Sequence, residues 1–148
     1  MEMPGLKIQK LRPDAKVPER ATEGSAGLDL CAAIDAPLTL AGHGTALVPT
    51  GLAIALPSAE YGAFVFARSG LAIKHGIGLL NGVGVIDSDY RGEVKVGLIN
   101  QLDEPYTIEP GERIAQLVVL PVSLLPVIPC DKLDETARSS GGFGSTGR

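Results

Sequence analysis

The chain has 148 residues, room for one ordinary domain and not for two. Its 19 Gly and 11 Pro, about one residue in five, exclude a helical bundle, because both destabilise helix interiors. A formal net charge of −4 excludes a general nucleic-acid binder, which needs a basic face, yet leaves room for a small anion held by a few local arginines.

With 45% hydrophobic residues but no Trp, three Phe and three Tyr, the core must come from Val, Ile, Leu and Ala. Short β-type runs alternate with turn signals. Strands are predicted at 7–11, at 28–32 after the Gly24-Ser25-Ala26-Gly27 turn, and at 45–56, interrupted by Pro49 and Gly51. Residues 62–67 are fully apolar and read as a strand buried on both faces. One short helix is predicted from Ser69, as N-cap, to Gly76, just past its end. Asn81-Gly82 predicts a type I′ hairpin. Residues 92–100 alternate, with Val94, Val96 and Leu98 on one side and Lys95 and Ile99 on the other. Strands at 113–120 and 124–128 close the series. The whole reads as an all-β, antiparallel jelly-roll-like barrel or sandwich with one short helix.

Of the last ten residues, eight are Ser, Thr or Gly, and the others are Phe143 and Arg148. Nothing there can form a core, so this reads as a flexible C-terminal tail. Cys31 and Cys130 read as buried free thiols in a reducing compartment, and with His43 and His75 they assemble no zinc signature. No apolar leader precedes Lys7, Lys10 and Arg12, and the apolar run 114–130 is broken by Pro121, Pro126 and Pro129. A cytoplasmic protein with no membrane and no nucleic-acid partner is expected.

Five segments carry candidate chemistry. In Phe66-Ala67-Arg68-Ser69-Gly70 an apolar strand runs into a cation, a hydroxyl and a helix start, which suits either an oxyanion cradle or a capped helix. In Gly84-Val85-Ile86-Asp87-Ser88-Asp89-Tyr90-Arg91-Gly92-Glu93, a carboxylate beside a bound triphosphate can take a proton from an attacking water; an acidic surface turn is the plain alternative. Asp29 stands between Leu28 and Leu30 and needs a partner, a metal-bound water or exposure. Arg113 and Gln116 can donate to phosphate oxygens or be solvated surface. In the tail, Arg138, Phe143, Ser145 and Thr146 suit a ligand's phosphates and base, or belong to a disordered end.

Taken in order, Ala26-Gly27-Leu28-Asp29-Leu30, Arg68-Ser69-Gly70, the stretch from Asn81 to Gly92, Gly111-Glu112-Arg113-Ile114-Ala115-Gln116 and Arg138 to Gly147 resemble the motifs of the trimeric dUTPase family. The resemblance spans residues 25–147, with Ala67 where many relatives carry Pro. It implies a jelly-roll homotrimer with shared active sites, a β domain over 1–133 and a flexible lid over 134–148. It implies Mg²⁺-dependent hydrolysis of dUTP to dUMP and pyrophosphate, which limits uracil entry into DNA and supplies dUMP for thymidylate synthesis.

Carried over by position, Asp87 resembles the general base for water attack on the α-phosphorus. Tyr90 resembles the ring under the deoxyribose that selects against a 2′-hydroxyl. Asn81 with the backbone of Gly84, Val85 and Ile86 resembles the uracil pocket, and Lys95 a further contact. Arg68, Ser69, Gly70 and Gln116 resemble the phosphate clamp. Asp29 resembles the acid that holds magnesium through water, the ion being held mainly by substrate phosphates. Phe143 resembles the lid ring on uracil, and Arg138, Ser145 and Thr146 the γ-phosphate contacts. Arg113 is open between phosphate contact and subunit boundary. Two rival functions are a dCTP deaminase, which needs an acid–base residue beside the pyrimidine that the hairpin segment lacks, and a non-catalytic dUTP-sensing trimer.

Overall fold

Strands of three to nine residues separated by Gly and Pro cannot bury an apolar face alone, so they pair over long sequence distances. The computed structural model describes residues 3–147. Within them, β1 (Lys7–Lys10) pairs with β5 (Leu52–Ala55), and β3 (Leu38–Leu40) with β10 (Tyr106–Ile108). A three-stranded sheet runs β4 (Thr45–Pro49), β9 (Lys95–Asn100), β7 (Ile77–Leu79). A four-stranded sheet runs β2 (Leu28–Cys31), β11 (Arg113–Pro121), β6 (Tyr61–Phe66), β8 (Gly84–Ile86). Every pairing is antiparallel and most neighbours are distant in sequence, the crossing connectivity of a jelly roll. The one helix among these residues is α1 (Ser69–His75).

The core is aliphatic, as the composition requires. Leu30, Val48, Leu52, Ile77, Val96, Leu98, Ile108, Ile114 and Leu117 are buried together. The predicted alternation of β9 holds: Val96 and Leu98 are buried and Lys95 is exposed. Two buried polar side chains are satisfied. Asn100 donates to the Leu40 and Glu104 carbonyls and accepts from the Leu102 amide, tying the end of β9 to β3 and the next loop. Thr50 donates its hydroxyl to the Val94 carbonyl.

The run 45–56 breaks where expected, into two strands, because Gly51 at φ 69° turns the chain there. Several other local expectations are corrected. In β6, Ala63 and Val65 are buried but Phe64 and Phe66 are half-covered, so only one face of that strand is fully inside. Ser69 is the first helical residue rather than the N-cap; Arg68 occupies the cap with φ −85° and ψ 130°, and no side chain caps the helix. Asn81-Gly82 is not a type I′ hairpin. Only Gly82 has positive φ, and the turn passes from β7 in one sheet to β8 in the other. The Gly82 amide closes on the Leu79 carbonyl and the Val83 amide on the Asn81 carbonyl.

Residues 124–128 form no strand. Pro126 and Pro129 remove ladder donors, and Leu124, Leu125, Val127 and Ile128 lie exposed. Cys130, expected to be buried, is exposed with them, and Cys31 is half-buried. The tail beyond is a series of exposed turns closed by short-range bonds such as Ser139 to Thr136 and Ser145 to Gly142. Arg148 lies outside the described residues. Among the described residues no helix is long and apolar enough to cross a membrane.

Candidate active site

Two clusters of candidate residues form on separate parts of the chain. The first is set by strand register. Gln116 on β11 stands opposite Asp29 on β2 and Phe66 on β6, so positions 29, 66 and 116 fall in one row, and the chain leaving β6 carries Arg68 beside them. In a regular strand Arg113 and Gln116, three apart, face opposite ways. The β2–β11 register slips between Arg113 and Ala115, and this bulge brings both residues to the same cavity. Leu30 beside Asp29, and Ala115 and Leu117 beside Gln116, are buried, which turns Asp29 and Gln116 to the outer face.

That cavity, about 190 Å³, is lined by Ala21, Asp29, Arg68, Ser69, Gly70, Arg113 and Gln116. The Asp29 carboxylate lies 3.4 Å from Arg68 Nε and 3.5 Å from Arg113 Nη1. Arg68 Nη1 also donates to the Arg113 carbonyl, 3.3 Å, and Gln116 Nε2 to the Ala67 carbonyl, 3.0 Å. Two guanidinium groups against one carboxylate leave the cluster net positive. Both separations exceed the roughly 2.7–2.9 Å of a tight charge-assisted bond, so donors remain for another anion. The Ser69 hydroxyl caps nothing, and the space over Gly70 is open. The lone acid between leucines therefore has its partners in two arginines. Gly27 is fixed by the same geometry: a Cβ there would lie 2.3 Å from Gln116 Oε1.

The second cavity, about 230 Å³, lies where β8 faces β9 and β7. Asn81, Gly84, Val85, Ile86, Asp87, Tyr90 and Lys95 all line it. β8 is an edge strand, hydrogen-bonded to β6 on one side alone, so it keeps a row of unpaired backbone donors and acceptors. Asp87 follows the last residue of β8, and the Tyr90 amide bonds back to the Asp87 carbonyl, 3.1 Å, in a tight turn. Tyr90 is 45% exposed, with its hydroxyl donating to the Glu93 carbonyl at 2.9 Å.

Lining residues that sequence reasoning missed are Val65, Leu79, Glu93, Val94, Val96 and Gly97. Glu93, directly after Tyr90-Arg91-Gly92, carried a readable signal in its charge; the aliphatic residues read only as core. The two cavities share no lining residue. Arg138, Phe143, Ser145 and Thr146 line neither, and Phe143 is fully exposed. Among the described residues no three His, Cys, Asp or Glu side chains converge to hold a metal. The one carboxylate of the first cavity is engaged by two guanidinium groups, a donor set that fits a cation reached through water and not one held directly.

An antiparallel jelly roll thus carries a cluster of two guanidinium groups around one carboxylate and, apart from it, a cleft edged by free backbone groups. The chain belongs to the dUTPase family, whose model matches residues 13–147. It is 56% identical over 144 residues to a deoxyuridine 5′-triphosphate nucleotidohydrolase of Desulfitobacterium hafniense, covering 96% of this chain and 95% of that one. It is 51% identical over 132 residues to the protein of that name from Idiomarina loihiensis, covering 89% and 87%. In structure it is similar to the Staphylococcus bacteriophage 80alpha dUTPase solved with dUPNHPP, at TM-score 0.88 and 26% identity, over 97% of this chain and 99% of that one.

Proposed function

We propose that this chain is a dUTP diphosphatase, hydrolysing dUTP to dUMP and pyrophosphate by attack of water on the α-phosphorus. The observation that carries the reading is the second cavity, which holds a carboxylate, Asp87, an aromatic ring, Tyr90, and the unpaired edge of β8 within one space of nucleoside size. Backbone groups of Gly84, Val85 and Ile86, with Asn81, pair with the uracil edge. Cytosine presents the opposite donor and acceptor pattern and would leave these groups unpaired, a large penalty. Thymine is rejected because the narrow cleft has no place for its methyl. The Tyr90 ring packs under the deoxyribose and collides with a 2′-hydroxyl. Lys95 is a further contact at the cavity wall.

Asp87 orients a water and accepts its proton as the oxygen approaches phosphorus. Arg68, Ser69, Gly70 and Gln116 bind the phosphates and favour the charge that develops on the leaving pyrophosphate. Arg113, beside Asp29, adds to this clamp. Mg²⁺, reached from Asp29 through water and held mainly by the phosphates, supplies charge neutralisation when bound. Residues 134–148 act as a lid on the β domain of residues 1–133: Phe143 stacks on uracil, while Arg138, Ser145 and Thr146 bind the γ-phosphate and exclude water.

Base cleft, phosphate clamp and lid lie apart in one chain, which supports a homotrimer whose sites are completed by neighbours. The exposed Leu124, Leu125, Val127 and Ile128 support the same assembly, since so much apolar surface is ordinarily covered. The two free thiols support a cytoplasmic location. A deaminase is disfavoured: the carboxylate of Glu93, the Glu that lines the base cleft, is committed to the Gly51 amide at 3.0 Å.

The test is a product assay on dUTP, UTP, dCTP and dTTP with and without Mg²⁺. Pyrophosphate and dUMP from dUTP, dependent on the ion and in strong preference to UTP, dCTP and dTTP, are expected. Release of dUTP or dUMP from dCTP would overturn the reading in favour of the deaminase.

A further inference from the structure

The steric gate assigned to Tyr90 works only if the ring cannot swing away from a 2′-hydroxyl. A tyrosine that is 45% exposed has that freedom unless something holds it. Its hydroxyl donates to the backbone carbonyl of Glu93, three residues on, at 2.9 Å. Gly92 lies under the ring: a Cβ there would stand 2.6 Å from Tyr90 Oη, so the hydroxyl reaches the carbonyl only across a bare backbone.

The carbonyl is itself aimed. The Val94 amide bonds to the Leu52 carbonyl at 2.8 Å, and in a trans peptide N–H and C=O point in opposite directions, so the Glu93 carbonyl is turned away from β5. The Glu93 side chain then reaches the other way, its Oε2 accepting from the Gly51 amide at 3.0 Å. Gly51 is an unyielding partner. It sits at φ 69° with the side chains of Arg12 and Ala15 within 2.8 Å of where a Cβ would be, and its carbonyl accepts from the Leu11 amide at 2.7 Å. Beside it Thr50 is fully buried.

We propose that Glu93 is a positioning residue for sugar discrimination: its carboxylate pins the 90–93 loop to the rigid β4–β5 turn, and its carbonyl fixes the Tyr90 ring in the gating orientation. The inference rests on the reading of Tyr90 as the gate. Freeing the ring lets it yield to a ribose, so kcat/KM for UTP rises relative to dUTP. The loss falls on discrimination, because neither Glu93 bond touches the phosphates or the attacking water.

Pyrophosphate release from dUTP and UTP is measured for the wild type and for Glu93→Ala, Glu93→Gln, Tyr90→Phe and Tyr90→Ala, with melting temperatures alongside. Glu93→Ala and Tyr90→Phe each lower the dUTP/UTP ratio of kcat/KM by about 3- to 10-fold, the effect of one ordinary hydrogen bond. The change appears mainly as a lower KM for UTP. Glu93→Gln, whose amide oxygen can accept the same Gly51 bond, restores the ratio. A ratio unchanged in Glu93→Ala, or a fall in both substrates alike that tracks a lower melting temperature, overturns the assignment. So does a ratio lost equally in Glu93→Ala and Glu93→Gln. If Tyr90→Ala also leaves the ratio unaltered, the gate itself fails; if the wild type releases no pyrophosphate from dUTP, the proposed function fails.

Discussion

Gly27→Ala probes the proposed clamp without replacing any residue assigned to the ligand, by displacing Gln116 from behind. A methyl at position 27 would lie 2.3 Å from Gln116 Oε1 and 3.1 Å from Gln116 Cβ. The oxygen must retreat by about 1 Å to reach the 3.4 Å of ordinary contact, which rotates the amide away from the Ala67 carbonyl it now holds at 3.0 Å. Losing that bond costs about 0.5–1.5 kcal/mol. The 3.1 Å contact with Gln116 Cβ, which cannot rotate away, adds strain on the order of 1 kcal/mol as β2 and β11 part slightly. At about 2–4 °C per kcal/mol for a chain of this size, the sum lowers the melting temperature by roughly 3–10 °C. A phosphate ligand misplaced by about an ångström costs on the order of 10–100-fold in kcat/KM for dUTP. Inhibition by dUMP, which lacks the two outer phosphates, should change far less, because the base cleft shares no residue with this cluster. Thermal melting, pyrophosphate release and dUMP inhibition read the three effects. Wild-type turnover together with the expected fall in melting temperature would show that Gln116 contributes packing and no phosphate contact.

Asp87→Asn should keep dUMP binding and lower turnover by about 10²–10⁴-fold, the usual worth of a positioned base; unchanged turnover in a steady-state assay removes Asp87 from that role. Deleting residues 138–148 should leave a folded protein with poor catalysis, since Arg138 to Thr146 contribute nothing to the core; circular dichroism and melting distinguish this from a tail needed for folding. Toward a thiol reagent near pH 8, exposed Cys130 should react quickly and half-buried Cys31 slowly, because burial pushes the Cys31 thiol up. The neutral thiol is the form the fold favours, so its contribution to stability is full below the unfolded value near 9.0 and is lost as pH rises through the higher folded value. Equal reaction rates for the two thiols would contradict the burial.

Composition and alternation made the fold class legible, because Gly and Pro density and period-two patterns are local properties that need no partner to be read. The motif at 84–93 was legible for the same reason: β8, Asp87, Tyr90 and Glu93, all within ten consecutive residues, line one cavity. The first cluster was legible only as separate fragments. What joins Asp29, Arg68 and Gln116 is a register between β2, β11 and β6, and what adds Arg113 is a bulge, neither of which leaves a mark in sequence. The errors share a cause. Ser69, Asn81-Gly82 and 124–128 each matched a local rule for caps, hairpins and strands, but a cap needs a side-chain bond, a hairpin needs its two arms in one sheet, and a strand needs a partner edge.

The charge of the chain poses the remaining question, since a protein at −4 must attract a polyanion. Long-range steering does not help it, because at physiological salt charges more than about 8 Å apart are largely screened. The attraction must be local, and Asp29 makes it so. Without that carboxylate, Arg68 and Arg113 would repel each other and spread into solvent. With it they are held together while still net positive, at distances too long to satisfy either guanidinium. In the proposed clamp an arriving phosphate would meet two preassembled donors and need not order them itself, which would lower the entropic cost of binding. On this argument the acid in the clamp, though it repels the ligand directly, is what makes the clamp a clamp.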